Sequence, residues 1–126
     1  MQRYRPTSQS MSKIFGMANL NPQKSGLGNI VIWSDHMGVL RNVQHNQPRI
    51  KLQIGDMSIV VSISAKPEIL SKSKTVTSKV KLAMFSKGID YVSRNYDIFL
   101  KHYMDTDFSF DDEDLFKFLR ARGEYK

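Results

Sequence analysis

From Arg49 to Ile63 the chain reads RIKLQIGDMSIVVSI, and its apolar positions alternate in two runs. Ile50, Leu52 and Ile54 are interleaved with Lys51 and Gln53, and beyond Gly55-Asp56 the series Met57, Ile59, Val61 and Ile63 resumes the same period. A period of two marks half-buried strands, and Gly-Asp between them supplies a two-residue turn, so the stretch predicts a β-hairpin. Folding about that turn sets residue 54 opposite 57, 52 opposite 59 and 50 opposite 61, with all six side chains on one face. A lone ribbon is marginal in water, so this face requires further strands or a helix against it.

From about residue 78 to 104 the period becomes helical. Leu82, Phe85, Ile89, Val92, Tyr96, Phe99 and Tyr103 recur at alternating steps of three and four, which places them on one stripe of a long amphipathic helix. The stripe fits packing on the sheet or a coiled-coil seam. Gly88 or Asn95 is a point where the helix bends or divides. A second, shorter helix closes the chain: Ser109 or Asp111 caps it, Asp112, Glu113 and Asp114 fill its first turn, Arg120 and Arg122 its last, and Gly123 suits a left-handed terminator.

The remaining segments are weaker in pattern. Residues 1–13 read as a mobile polar arm with Pro6, and Met11 is an alternative start. Residues 18–28, rich in Asn, Gly, Pro22 and Ser25, predict a loop, with Phe15, Met17 and Leu20 reaching into the core. Asn29 to Trp33, NIVIW, is an almost continuous apolar run and predicts a strand buried on both faces, with the single tryptophan in the core. A turn over 35–38 and a returning strand over 39–44 follow, and Pro48 ends pairing before the hairpin. Downstream, Ala65-Lys66-Pro67-Glu68 breaks the sheet, 71–79 is polar and basic, and Thr75 or Thr77 is the expected N-cap of the long helix. The expectation is therefore an α+β fold: a small antiparallel sheet of three or four strands covered by one long amphipathic helix, plus a short C-terminal helix, forming one domain over 14–126.

Composition sharpens this at two points. There is no cysteine, which excludes a disulfide framework, a thiolate zinc site and a Cys nucleophile. Neither an apolar run long enough to span a bilayer nor a secretory h-region is present, and a cytoplasmic location is expected. Charge is uneven: residues 1–94 carry 14 Lys and Arg against 4 Asp and Glu, whereas 95–126 carry 5 against 8. Such a basic body fits a polyanionic partner, and equally a lysine-rich solvated surface.

Candidate chemistry is sparse. Of the three histidines, His36 and His45 fall in turns and His102 near the end of the long helix; His36 and His45 with Lys51 on the phosphate would be the general acid, general base and cation of metal-free RNA cleavage. The acidic run from Asp105 to Asp114 lacks the Gly and terminal Glu of an EF-hand and reads as a solvated helix start, so no metal and no cofactor are expected. Gly26-Leu27-Gly28 precedes a strand instead of following one and is no phosphate loop. No Ser-His-Asp or Walker signature is present. Arg41, Arg49 and Lys51 lie in or beside neighbouring strands, and Lys66, Lys72, Lys74, Lys79 and Lys81 follow in a basic loop and helix start; on one surface they would track a phosphate backbone. Phe108, Phe110, Phe116 and Phe118 give the C-terminal region an aromatic surface suited to a protein partner.

Gln44-His45-Asn46-Gln47-Pro48-Arg49-Ile50-Lys51, leading into the hairpin and then an amphipathic helix, resembles a small bacterial family of unknown function over about residues 44–103. That family carries Asp-His-x-Pro-Pro-His-x-His at this point. His45 and Pro48 agree, while Arg49 and Lys51 stand where the family has its later histidines. The resemblance implies an α+β domain of bacterial or mobile-element origin, brings no established activity, and favours phosphate or carboxylate binding over metal binding. Three functional classes follow: a non-enzymatic nucleic-acid-binding protein of a bacterium or phage, an interaction module or inhibitor docking through its aromatic helix, and a ribonuclease-like toxin.

Overall fold

The hairpin forms with the register its alternation demands. In the computed structural model, which describes residues 18–35, 47–107 and 109–126, strands β3 (Arg49–Ile54) and β4 (Met57–Ser62) pair with Ile54 opposite Met57, Leu52 opposite Ile59 and Ile50 opposite Val61. Gly55 takes φ 58° at the turn, a conformation that costs a side-chain-bearing residue more than glycine. Ile50, Leu52, Ile59 and Val61 are almost wholly shielded from solvent, and burying each stabilises the fold by about 1.5–3 kcal/mol.

Three more strands extend this hairpin into a five-stranded antiparallel meander in sequence order: β1 (Ala18–Leu20), β2 (Val31–Ser34) and β5 (Ile69–Lys72) join β3 and β4. Where three or four strands are expected, the described residues form five. Residues 18–20 are a strand and not a loop, because Ala18 and Leu20 point into the core while Asn19 points out; three residues are too few for that alternation to register as a pattern. Asn21 then accepts from the backbone N–H groups of Gln23 and Lys24 and caps a single turn of helix, α1 (Pro22–Ser25), with Pro22 leading and Gly26 left-handed at its end. After the Pro67 break, β5 adds to β4 with a register shift between Val60 and Val61, and Ser62 Oγ accepts from the Glu68 N–H within the connection. The expected strand over 39–44 lies outside the described residues, as do the arm over 1–13, Phe15 and Met17; β2 pairs directly with β3.

The long helix is divided into three. α2 (Lys79–Ala83), capped by Ser78 and not by Thr75 or Thr77, is followed by α3 (Ser86–Arg94) and α4 (Tyr96–Met104). The second break falls at Asn95, which is fully buried, with its side-chain amide donating to the Tyr91 carbonyl. The change of direction takes Tyr96 off the predicted stripe, where it is 39% exposed, and brings Ile98 and His102 into the core beside Phe99 and Tyr103. Gly88 lets α3 lie close on the sheet: a Cβ there would stand 3.1 Å from Ile30 and 3.2 Å from Leu52.

α5 (Asp112–Ala121) packs on α4, with Leu115 and Leu119 buried. Asp111 and Asp114 exchange side-chain and backbone hydrogen bonds as a capping box, and Gly123 is left-handed at φ 74°. The tail then folds back across the helices. Tyr91 donates its O–H to the Glu124 carbonyl, Arg94 clasps the Glu124 carboxylate with two nitrogens, and Arg122 does the same to Asp97. Tyr125 stacks on Phe116, and its hydroxyl accepts from the Asn21 N–H beside α1. All the helices from α3 onward therefore contribute to one layer on one side of the sheet.

Candidate functional site

The opposite side of the sheet is where the candidate residues are placed. Alternation sends Trp33 of β2, Lys51 of β3, Val60 of β4 and Ser71 of β5 outward, and the pairing aligns them with Asn19 in one row across all five strands. Trp33 and Lys51 are direct partners in this row. Trp33 is half-buried, not enclosed in the core as the apolar run around it suggests. Its indole Nε1–H donates to Gln53 Oε1 at 2.8 Å, and Gln53 Nε2 donates in turn to the Gly55 carbonyl. Both polar ends of Gln53 are committed, so it fixes the direction in which the indole leans.

Lys51 is exposed on the central strand, and no carboxylate among the described residues pairs with it. The five strands contain three cations, Arg49, Lys51 and Lys72, and no acidic residue at all. Arg49 lies two residues from Lys51 on the same side, at the rim: its Nε donates to the Gln47 carbonyl, and its charge reaches the Tyr103 hydroxyl. Burial pushes that hydroxyl up, Arg49 opposes the shift and Asp35 adds to it.

The other basic residues do not all join this face. Lys72 sits opposite Ile59, an inward position, and so belongs to the helical side of the edge strand. Lys66 and Lys74 are exposed in the loops that flank β5, and Lys79 and Lys81 are exposed on α2. Arg41, His36 and His45 lie outside the described residues; of the three ribonuclease candidates, the described structure holds Lys51 alone.

The aromatic C-terminal surface is largely spent on the fold. Phe110 is buried, Phe116 packs against the core and stacks on Tyr125, and Phe118 meets Phe110 edge-on with Lys101 over both rings. Phe118 keeps 43% of its surface exposed, and Phe108 lies outside the described residues. The acidic segment is likewise occupied: Asp105 and Asp107 both accept from the Ser109 N–H, Asp111 caps α5, and Asp112 meets His102. No cluster of three His, Asp or Glu groups among the described residues is placed to hold a metal ion, and no helix among them is long and apolar enough to cross a membrane.

One constellation has no counterpart in any sequence motif. His102 lies between Ser34 Oγ, 2.8 Å from its Nδ1, and Asp112 Oδ1, 2.8 Å from its Nε2. A carboxylate only accepts, so Nε2–H donates to Asp112, while Nδ1 shares a hydrogen bond with the Ser34 hydroxyl. This is a Ser-His-Asp set assembled from β2, α4 and α5, but Ser34 has no exposed surface from which to attack a substrate. Its effect is to pin three elements together. Comparison of the chain with protein-family models, with curated proteins and with solved structures found no match.

Proposed function

We propose that this chain is a non-enzymatic binding protein that contacts nucleic acid through the face of its sheet opposite the helices. The observation that carries the reading is Lys51: exposed, central, without an acidic neighbour in any strand, and paired with Trp33. Arg49 at the rim and Lys66 and Lys74 in the flanking loops supply further phosphate contacts. Such contacts give affinity without base specificity and weaken as salt is added, because binding releases condensed counterions.

The test is a salt titration of binding to labelled RNA, single-stranded DNA and duplex DNA, with substrate integrity followed on a gel. Four neutralised phosphates lower the association constant about 50- to 150-fold between roughly 50 and 200 mM salt. A complex that is insensitive to salt, or no complex at millimolar protein in low salt, contradicts the reading. Shortened RNA would overturn its non-enzymatic part.

A further inference from the structure

We infer that the sheet face opposite the helices takes single-stranded nucleic acid in preference to duplex, with Trp33 as the surface on which a base stacks; this rests on the nucleic-acid reading above. The geometry comes from the Trp33, Lys51 and Gln53 cluster. The indole hydrogen bond to Gln53, which sits on β3 one step along from the Lys51 position, draws the ring along the sheet instead of letting it stand off the surface. Trp33 is half-buried, so part of its indole surface remains accessible. Lys51, directly across from Trp33, sets an ammonium within the reach that separates a base from its own phosphate.

Charge complementarity selects the occupant. A strand set with cations and no carboxylate disfavours a cationic peptide, and an aromatic side chain beside a cation is the pairing that sequence-tolerant single-strand binders use, since every base has a π-face. Bases within a duplex are stacked on one another and present no free face to an indole. Asn19 beside Trp33, Ser58 beside Gln53 and Ser71 at the edge are polar, and Val60, the partner of Lys51, adds an apolar position to the row.

Trp33 is the only tryptophan in the chain, so its emission reports this one position. The experiment titrates the full-length protein with single-stranded oligo(U) and oligo(dT) of about 12 nucleotides, and with a duplex of the same length, reading tryptophan emission and binding of labelled strands in parallel. Quenching that saturates together with single-strand binding is expected, with Trp33→Phe retaining most of the affinity and Trp33→Leu losing about tenfold. Circular dichroism and a thermal melt establish that each variant is folded. Equal affinity for single strand and duplex with unchanged emission overturns the single-strand inference while the nucleic-acid reading stands. Absence of binding by every polymer overturns both.

Discussion

His102 Nδ1 stands 2.8 Å from Ser34 Oγ, and neither residue has any exposed surface. The pair joins the second strand to the helix that covers it, and Asp112 on the far side of the ring ties in the last helix. Because a buried polar group deprived of its partner keeps the cost of having left water, Ser34→Ala is expected to destabilise the protein by about 1–3 kcal/mol. His102→Ala is expected to cost more, since it orphans the Ser34 hydroxyl and opens a cavity as well. Urea denaturation checks both; a loss below about 0.5 kcal/mol for Ser34→Ala would show that the bond contributes nothing net.

Gly88 governs how closely the helical layer approaches the sheet. Alanine gains helix propensity of about 1 kcal/mol over glycine, but its Cβ meets methyl groups of Ile30 and Leu52 at 3.1 and 3.2 Å. Gly88→Ala is therefore expected to be near neutral, and Gly88→Val to destabilise by about 1–3 kcal/mol through overpacking. A valine variant as stable as the parent would mean that α3 can withdraw from β3 without loss.

The clamp on the C-terminal tail makes stability depend on pH at both ends of the scale. The Arg94 guanidinium holds the Glu124 carboxyl below its ordinary value, and Arg122 does the same for Asp97. Groups whose folded value is depressed stabilise above the ordinary carboxylate range, and that contribution disappears as pH falls through the depressed values. Both pairs are substantially exposed, so the acid effect is small and is screened by salt. Tyr91 shifts the other way: burial, then Glu124, raises it above the ordinary 10.0. Its contribution is complete below 10 and is lost as pH rises beyond it. Thermal melts across pH should show Tyr91→Phe removing part of the alkaline loss and Arg94→Ala removing part of the acid loss; identical profiles for parent and variants would contradict the assignment.

The aromatic residues of the C-terminal region separate into structural and exposed. Phe110→Ala is expected to cost about 3–5 kcal/mol, as for other buried phenylalanines. Phe118→Ala, at 43% exposure, should cost well under half of that. A large loss at Phe118 with little at Phe110 would invert the packing described here, and chemical denaturation of the two variants distinguishes the cases.

What was legible in the chain follows from the length of each signal. The hairpin could be read residue by residue because a seven-position alternation about Gly55-Asp56 admits one register. A cap at Asp111, offered beside Ser109, and the terminator at Gly123 were readable because caps are local chemistry. Ala18–Leu20 and Ile69–Lys72 escaped because strands of three and four residues carry too little periodicity, and their burial is decided by neighbours far along the chain. The stripe from Leu82 to Tyr103 indicated a helix and offered Gly88 or Asn95 as its point of division; the choice of Asn95 was not legible, since it rests on contacts of its side chain with Tyr91 and Arg122. The Trp33, Lys51 and Gln53 cluster was hidden for the same reason. NIVIW looks uniformly apolar, and only the pairing of β2 with β3 shows that Trp33 turns toward Lys51.

The central claim, that the sheet face carrying Lys51 and not general basicity binds nucleic acid, is tested most directly by comparing Lys51→Glu with Lys117→Glu. Lys51 stands on the face opposite the helices, whereas Lys117 is exposed on α5 in the helical layer, and the two substitutions change net charge equally. Measured against a labelled single strand at fixed low salt, Lys51→Glu is expected to weaken binding at least tenfold more than Lys117→Glu does, with both variants melting close to the parent. Equal losses from the two would contradict the account and leave net charge as the explanation.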